Sequence, residues 1–473
     1  MKKYFLLALI LLLSPSISKA QWQSDVRLTV NPSTSFTTYN NARCIATSGD
    51  SVHVAWEDSR DGNQEIYYKL SEDGGVSWGP DIRLTNSPFI SWFPSIFVSG
   101  PNVHVVWFDD RDGNYEIYYK GSSDAGTTWG MDIRLTNDPG GSGRPSVFAK
   151  DSIIHVAWGD DRNGGVREIY YKRSVDGGIT WGADIRLTND PADSRHASVS
   201  ASGSDVHILW IDLRDGNYEL YYKRSADSGL SWGPDTRLTN NITLSEYPLL
   251  LSSDTAVHVF WTEGSLSSAN IFYKHSTDGG LSWQPDVQLT NNTVTTSIAP
   301  SVALFDSIIH LVWQDNRDGN DEIYYKQSLD QGATWNTDSR LTYNSAFSQS
   351  PSAAVSGDAI NIVWQDNRDG NFEIYYKLNP TGIPVGIDET LLNENSIQVF
   401  PNPAINHFTI ALPSINKKVE VTVTDVTKKI IYANSSTEVQ KIEVNTKDFS
   451  EGVYVVRIHA TDFIETKKLI ITK

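Results

Sequence analysis

The chain has one cysteine, Cys44, in 473 residues, so no disulfide framework can form within it and the fold must hold by packing. Positive charge is in deficit. The 39 Lys and Arg stand against 57 Asp and Glu, and the net charge of −18 argues against nucleic acid, whose phosphates would be repelled. Long apolar runs are missing after the first twenty residues, and nothing later is long enough to cross a bilayer as a helix. The early run, Phe5 to Leu13, follows Lys2 and Lys3 and precedes the small residues of Ser18-Lys19-Ala20. It reads as a secretory signal over residues 1–20, with a mature protein expected to be soluble after export. Aromatic residues are what the chain has in quantity: 15 Trp, 21 Tyr and 16 Phe.

Seven tryptophans, Trp56, Trp107, Trp158, Trp210, Trp261, Trp313 and Trp364, follow one another at intervals of 51 or 52 residues. Around each lies one cassette, clearest as "PSIFVSGPNVHVVWFDDRDGNYEIYYKGSSDAGTTWGMDIRLTN". It reads as four short strands: "PSIFVS", the alternating "VHVVW", the β-former-rich "EIYYK" after the tight-turn signal "RDGN", and "DIRLT". Four strands repeated at this period predict an all-β propeller, because one blade cannot bury both faces of its sheet and a closed ring can.

Between the third and fourth strands stands a polar octapeptide ending in tryptophan, such as "SEDGGVSW" from Ser71, and it occurs six times. Its aspartates, Asp73, Asp124, Asp176, Asp227, Asp278 and Asp330, are positioned to bond the backbone of a tight hairpin, and its glycine to take a positive φ. The closing Trp can cover the hairpin with apolar surface. The pattern S-x-D-x-G-x-[ST]-W resembles the Asp-box, or BNR repeat, of sialidase-type propellers. In that family these boxes lie away from the active site, which implies a structural role here.

The "RLT"-type strand occurs seven times, but its first copy, "SDVRLTV", precedes any blade that could own it, and the seventh unit stops at Leu378 without a fourth strand. The N-terminal strand is therefore expected to complete the last blade. That makes a seven-bladed propeller over residues 21–378, whereas catalytic sialidases resemble six-bladed wheels. A Pro/Gly/Asn-bearing linker, 379–396, separates it from a small β-sandwich over residues 397–473, whose charge of +2 leaves −20 for the rest. Within this tail, "VFPNPA", "GVYVVRI" and the terminal "KKLIITK" resemble the C-terminal sorting domain of the type IX secretion system of Bacteroidota. The resemblance implies export across the outer membrane through the type IX machinery, with the cargo tethered at the surface or released.

Two recurring sets invite a chemical reading. The element D-x-R-D-G-N-x-E, as in Asp58, Arg60, Asp61 and Glu65, suits either calcium or carboxylate sites or a turn fixed by Arg–carboxylate pairs; its order does not match an EF-hand loop. Blade three stretches it ("DDRNGGVREIYY") and blade five loses it. The histidines His53, His104, His155, His207, His258 and His310 share one strand position and cannot all ligate one metal, so packing positions are expected. No cofactor is expected, calcium being the one alternative.

Function is sought where blades differ. Before the recurrent proline stand Ala42, Phe93, Arg144, His196, Tyr247, Ala299 and Ser350, flanked by Trp92, Arg195 and Glu246, with Arg43 replacing the proline of blade one. Chain reversal places this segment beside the central funnel, opposite the Asp-boxes. Aromatic faces with cationic forks suit an anionic or sugar ligand. The sialidase resemblance implies three clamping arginines, for which Arg43, Arg144 and Arg195 are the candidates, and a Tyr–Glu pair, for which Glu246 and Tyr247 stand adjacent. Strand neighbours point to opposite faces, which speaks against that pair. The expectation is a monomeric surface or secreted propeller binding glycans or proteins through its funnel face. The alternatives are an exo-sialidase or related glycoside hydrolase, and a structural surface protein.

Overall fold

The computed structural model describes residues 22–38, 43–265 and 267–382, and in the tail 398–400, 404, 406–416, 418–425, 429–437, 439–447, 449–460 and 464–471. The signal segment and most of the linker lie outside the described residues, as does Ala42. Two compact units separate, Met1–Pro384 and Val385–Lys473.

The first unit is a seven-bladed propeller of antiparallel sheets. Blade two is typical, with strands Ser91–Ser99, Asn102–Asp109, Glu116–Ser122 and Ile133–Arg134 running from the axis outward. In blade seven the outermost strand is Val26–Arg27, paired antiparallel with Tyr376 and Tyr375, so the two ends of the ring close within one sheet. In blade one the innermost strand is interrupted: Ser35–Phe36 and Ile45–Ser48 both pair with Ser51–Asp58.

The apolar clusters lie between successive blades rather than inside one. Ala46 and Ile66 of blade one, for example, pack with Ile96, Val105 and Trp107 of blade two. The seven period-marking tryptophans are buried, and each indole N–H donates to a carboxylate two residues on, as Trp56 does to Asp58 at 2.9 Å. These seven indoles are therefore kept partnered inside a packed interface.

The Asp-boxes join blades. Ser71 donates to Asp73 at 2.8 Å, the N–H of Ser77 donates to the same carboxylate at 2.8 Å, and the N–H of Gly75 donates to Ser71 at 2.8 Å. Hydrogen bonds from the Ser77 hydroxyl and N–H draw the Asp73 carboxyl down to about 2. Trp78 then meets Tyr376 of blade seven edge-on, with centroids 4.9 Å apart. The same contact recurs as Trp129–Tyr68, Trp181–Tyr119, Trp232–Tyr171, Trp283–Tyr222 and Trp335–Tyr273, always with the preceding blade. So the tryptophan covers a neighbour's tyrosine rather than only its own hairpin. A seventh staple comes from the two ends of the propeller: Trp22 meets Tyr325 edge-on at 5.1 Å, and Tyr325 donates to the carbonyl of Gly382 at 3.3 Å.

The tail unit is a sandwich of a three-stranded sheet (Gln398–Phe400, His407–Asn416, Val439–Asn445) and a four-stranded one (Val419–Asp425, Ile430–Ser436, Gly452–Ala460, Ile464–Ile471). Alternation places Tyr454, Val456 and Ile458 inside with Phe408, Val421 and Leu469, while Val455 and Arg457 face out.

Candidate functional site

Six innermost strands carry a bulge at their funnel end. It holds Phe93, Arg144, His196, Tyr247, Ala299 and Ser350 at φ between +50° and +58°, a region that costs a non-glycine residue energy. Ala299 and Ser350 share the geometry, so the bulge is architectural and the side chain it displays is the variable. One consequence corrects the alternation argument. Glu246 and Tyr247 are neighbours, yet both line one small hollow with Thr262 and Ile298, because the bulge interrupts the two-residue period there.

On blades two to four the bulges open a cleft of about 240 Å³. Trp92, Phe93, Arg144, Arg195 and His196, five of the sequence-derived candidates, line it together. Phe93 stacks on Phe108 at 5.5 Å and Trp92 on Tyr115 at 6.4 Å, forming the aromatic wall. Arg144 lies over the Phe93 ring, 5.0 Å from its centroid, and donates to Nε2 of His196 at 2.5 Å. That bond leaves the His196 proton on Nδ1, and burial, then Arg144 and Arg195, hold the imidazole neutral well below its usual pKa. Arg195 lies over Tyr218 at 4.1 Å, with Asp193 3.5 Å from its Nε.

The floor is open because of two residues that are small. Gly143 and Gly159 of blade three stand where blade two has Trp92 and Phe108 and blade four has Arg195 and Ile211. A Cβ at either would meet nothing nearer than 3.8 Å, so neither glycine is required by crowding. Sequence reading missed these two, along with Phe108, Tyr115 and Arg167. Arg167 arrives through the stretched turn of blade three. It is exposed at the cleft, at the x of G-N-x-E, where its blade neighbours have Tyr115 and Tyr218. The variability of that x was the available signal.

The remaining candidates lie elsewhere. Arg43 lines the axial channel, and Glu246 with Tyr247 the blade-five hollow, so the three arginines do not share one cavity. The D-x-R-D-G-N-x-E turns are occupied by their own ion pairs. Arg60 donates Nε at 2.8 Å and Nη2 at 2.6 Å to Asp58 and Nη1 at 2.6 Å to Asp81, and lies over the Tyr67 ring at 4.3 Å. Arg60 and its other hydrogen-bonding partners hold Asp58 below the usual carboxylate range against the opposing effect of burial. Of the repeated histidines, His53 bonds Tyr68 through Nδ1 at 2.7 Å, and burial lowers its pKa to about 4; Asn361 accepts from Tyr376 in the same place in blade seven.

Blade one adds a buried acid. Glu57 accepts the N–H of Phe93 at 2.8 Å, and burial pushes its carboxyl up to about 8, against the pull of that bond. Gln314 accepts the N–H of Ser350 from the equivalent position of blade six at 3.2 Å.

Residues 398–472 match the family described as a secretion system C-terminal sorting domain. The chain thus carries a type IX sorting domain, which delivers it to the cell surface or the extracellular space through that secretion machinery. A curated relative, a sialidase of Clostridium perfringens, is 24% identical over 242 residues, covering 43% of this chain and 59% of the relative, so the match spans well under two thirds of that protein. Among solved structures, an ulvan lyase described as a polysaccharide lyase of a new family superposes with a TM-score of 0.55 at 11% identity, over 72% of this chain and 93% of its own. The sialidase of Trypanosoma rangeli in complex with the inhibitor DANA has a TM-score of 0.45 at 11% identity, over 82% of this chain and 86% of its own.

Proposed function

We propose that the exported propeller binds an acidic glycan in the cleft of blades two to four. The observation that carries this reading is the opening left by Gly143 and Gly159 between an aromatic wall and three arginines, in a chain of net charge −18. Aromatic faces stack on sugar rings, and guanidinium forks match carboxylate or sulfate. Among the lining residues Asp161 supplies the one carboxylate, and it already accepts the N–H of Gly141 at 2.6 Å. A pair of carboxylates flanking a scissile bond, the usual requirement for glycoside hydrolysis, is thus missing from the lining, which favours binding over cleavage.

A glycan array with the purified protein tests this. Binding should be confined to uronate-, sialate- or sulfate-bearing glycans. It should fall at least about tenfold in Arg195→Ala, the loss of one charge-assisted contact, and in Gly159→Ile, which places in the cleft the side chain that blade four carries, with melting unchanged. Binding that ignores charge, or survives both changes, would remove the reading. The sialidase relative favours a second one, exo-sialidase activity. Its signature is free sialic acid released from sialyl-conjugates and lost in Arg43→Ala; on the cleft reading those conjugates survive incubation.

A further inference from the structure

Blade one carries Arg43 where blades two, three, five, six and seven carry proline. Its side chain lies in the wall of the axial channel, a hollow of about 320 Å³ to which all seven innermost strands contribute, with Phe97, Phe148, Leu251 and Val302 among the lining residues. The guanidinium rests over Phe97 with Cζ 5.4 Å from the ring centroid. No described residue gives it an ion pair or a side-chain hydrogen bond. Burial alone acts on its pKa, lowering it to about 10, so the group stays charged at neutral pH. The channel's own carboxylate, Asp306, is exposed in the hairpin after its innermost strand, on the Asp-box face and away from the funnel end where Arg43 sits. The hydroxyls of Ser200 and Ser252 bond each other at 2.8 Å.

A guanidinium cannot shed its proton to escape an unfavourable wall, and a partly desolvated charge without a counter-charge is costly. Every other blade cation described above has its carboxylate or a funnel-face opening. Arg43 has a channel lined largely by apolar side chains and roomy enough for an ion. We propose that the axial channel binds a small inorganic anion, of chloride to sulfate size, on Arg43, and that this ion braces the seam at blade one. The backbone around it supports the second half of the statement. The carbonyl of Arg43 accepts the N–H of Ile96 from blade two at 2.9 Å, and the N–H of Cys44 donates to Ser352 of blade seven at 3.0 Å. An ion held by Arg43 therefore bears on both joints of the blade whose innermost strand is interrupted. This site is separate from the glycan cleft and stands whether or not the cleft binds sugar.

Bromide soaked into crystals of the unaltered protein should give an anomalous peak within hydrogen-bond reach of the Arg43 guanidinium. In solution, replacing gluconate by chloride at constant ionic strength should raise the melting temperature by about 2–4 °C through preferential binding to the folded state. That rise should vanish in Arg43→Gln, which in gluconate should melt no lower than the parent. A bromide map empty at Arg43, or an equal chloride response in both proteins, overturns the proposal. If Arg43→Gln does not fold, the bromide map of the unaltered protein decides alone.

Discussion

The Asp-box face and the funnel face are two ends of the same blades, and the chain treats them oppositely. At the Asp-box end all six copies keep the same Ser–Asp–Gly–Trp set, each Trp meets the preceding blade's tyrosine, and even the incomplete seventh blade borrows Trp22 and Gly382 to make the joint. At the funnel end the backbone repeats the same left-handed bulge, but its side chains run from Phe93 through Arg144 and His196 to Ser350. Uniformity belongs where blade must meet blade; variation collects where the backbone is already fixed and a side chain can change without unfastening the ring. The charges follow the same division. The turn arginines are consumed by Asp58-type and Asp81-type carboxylates, whereas Arg167 lines the cleft as an exposed residue.

The comparison breaks most completely at the ring's closure. Deleting Gln21–Asn31 removes Trp22, the Val26–Arg27 strand and Asp25, which accepts from Arg368 at 2.7 Å and pairs with Lys377 at 2.9 Å. It also strips Arg27 and Thr29 from the buried Glu373. Orphaning even one buried charge costs about 3–5 kcal/mol, so the truncated protein should lose its cooperative melt or melt more than about 10 °C lower. An unchanged melting curve would separate closure from stability.

A smaller effect, still on the joint side, is expected from Gly178→Ala. Gly178 has φ +89°, and an added Cβ would lie 2.4 Å from the Tyr119 hydroxyl, inside the space the inter-blade contact needs. Strain plus displacement of a buried tyrosine should destabilise by about 2–4 kcal/mol, read from urea unfolding. The funnel counterpart, Gly159→Ile, should leave unfolding nearly untouched. If the two glycines cost alike, the proposed division between joint and display surface fails.

Sequence made the joint side legible because repetition is visible as repetition. The 51-residue period of the tryptophans, the surplus "RLT" strand at Arg27 and the unfinished unit at Leu378 together define seven blades and their closure, and the alternation in "GVYVVRI" marks a tail strand. It could not show that Trp78 belongs to Tyr376, because that pair meets only when the ring is closed. The funnel side was half legible. Trp92, Arg144 and Arg195 stood out as departures from the repeat, but a cleft also needs what is missing. Gly143 and Gly159 carry no chemistry to notice, although the opening depends on them. The bulge that brings Glu246 and Tyr247 to one hollow has no signature beyond the recurrent proline, which is why strict strand alternation misled there. Arg43 looked like a third member of a clamp by position in the repeat, yet it lies in the channel wall, in a blade whose innermost strand has five more residues before this position than blade two has.

The finest test lies at the boundary between the two sides, in Glu57, whose carboxyl accepts the Phe93 N–H and so fixes a cleft residue from the neighbouring blade. Burial raises its folded pKa to about 8, above the usual carboxylate value it regains on unfolding. Between those two values the folded state holds a proton that the unfolded state has released. Stability from this group is therefore full below the unfolded pKa, falls as pH rises, and is lost once pH passes about 8. Gln314 performs the same acceptance in blade six without a titrating group. Glu57→Gln should match the parent in stability near pH 4.5 and exceed it above pH 8, the gap reaching about 2 kcal/mol. That is less than a rigid site would give at roughly 1.4 kcal/mol for each unit separating the folded and unfolded values, because a newly charged buried carboxylate draws water toward itself. All other titrating groups are common to both proteins and cancel in the difference. Paired urea titrations across that range measure it, and a gap that is flat with pH, or that closes as pH rises, would show that Glu57 is ionised in the folded ring and that the wall beside Phe93 is wetter than its packing implies.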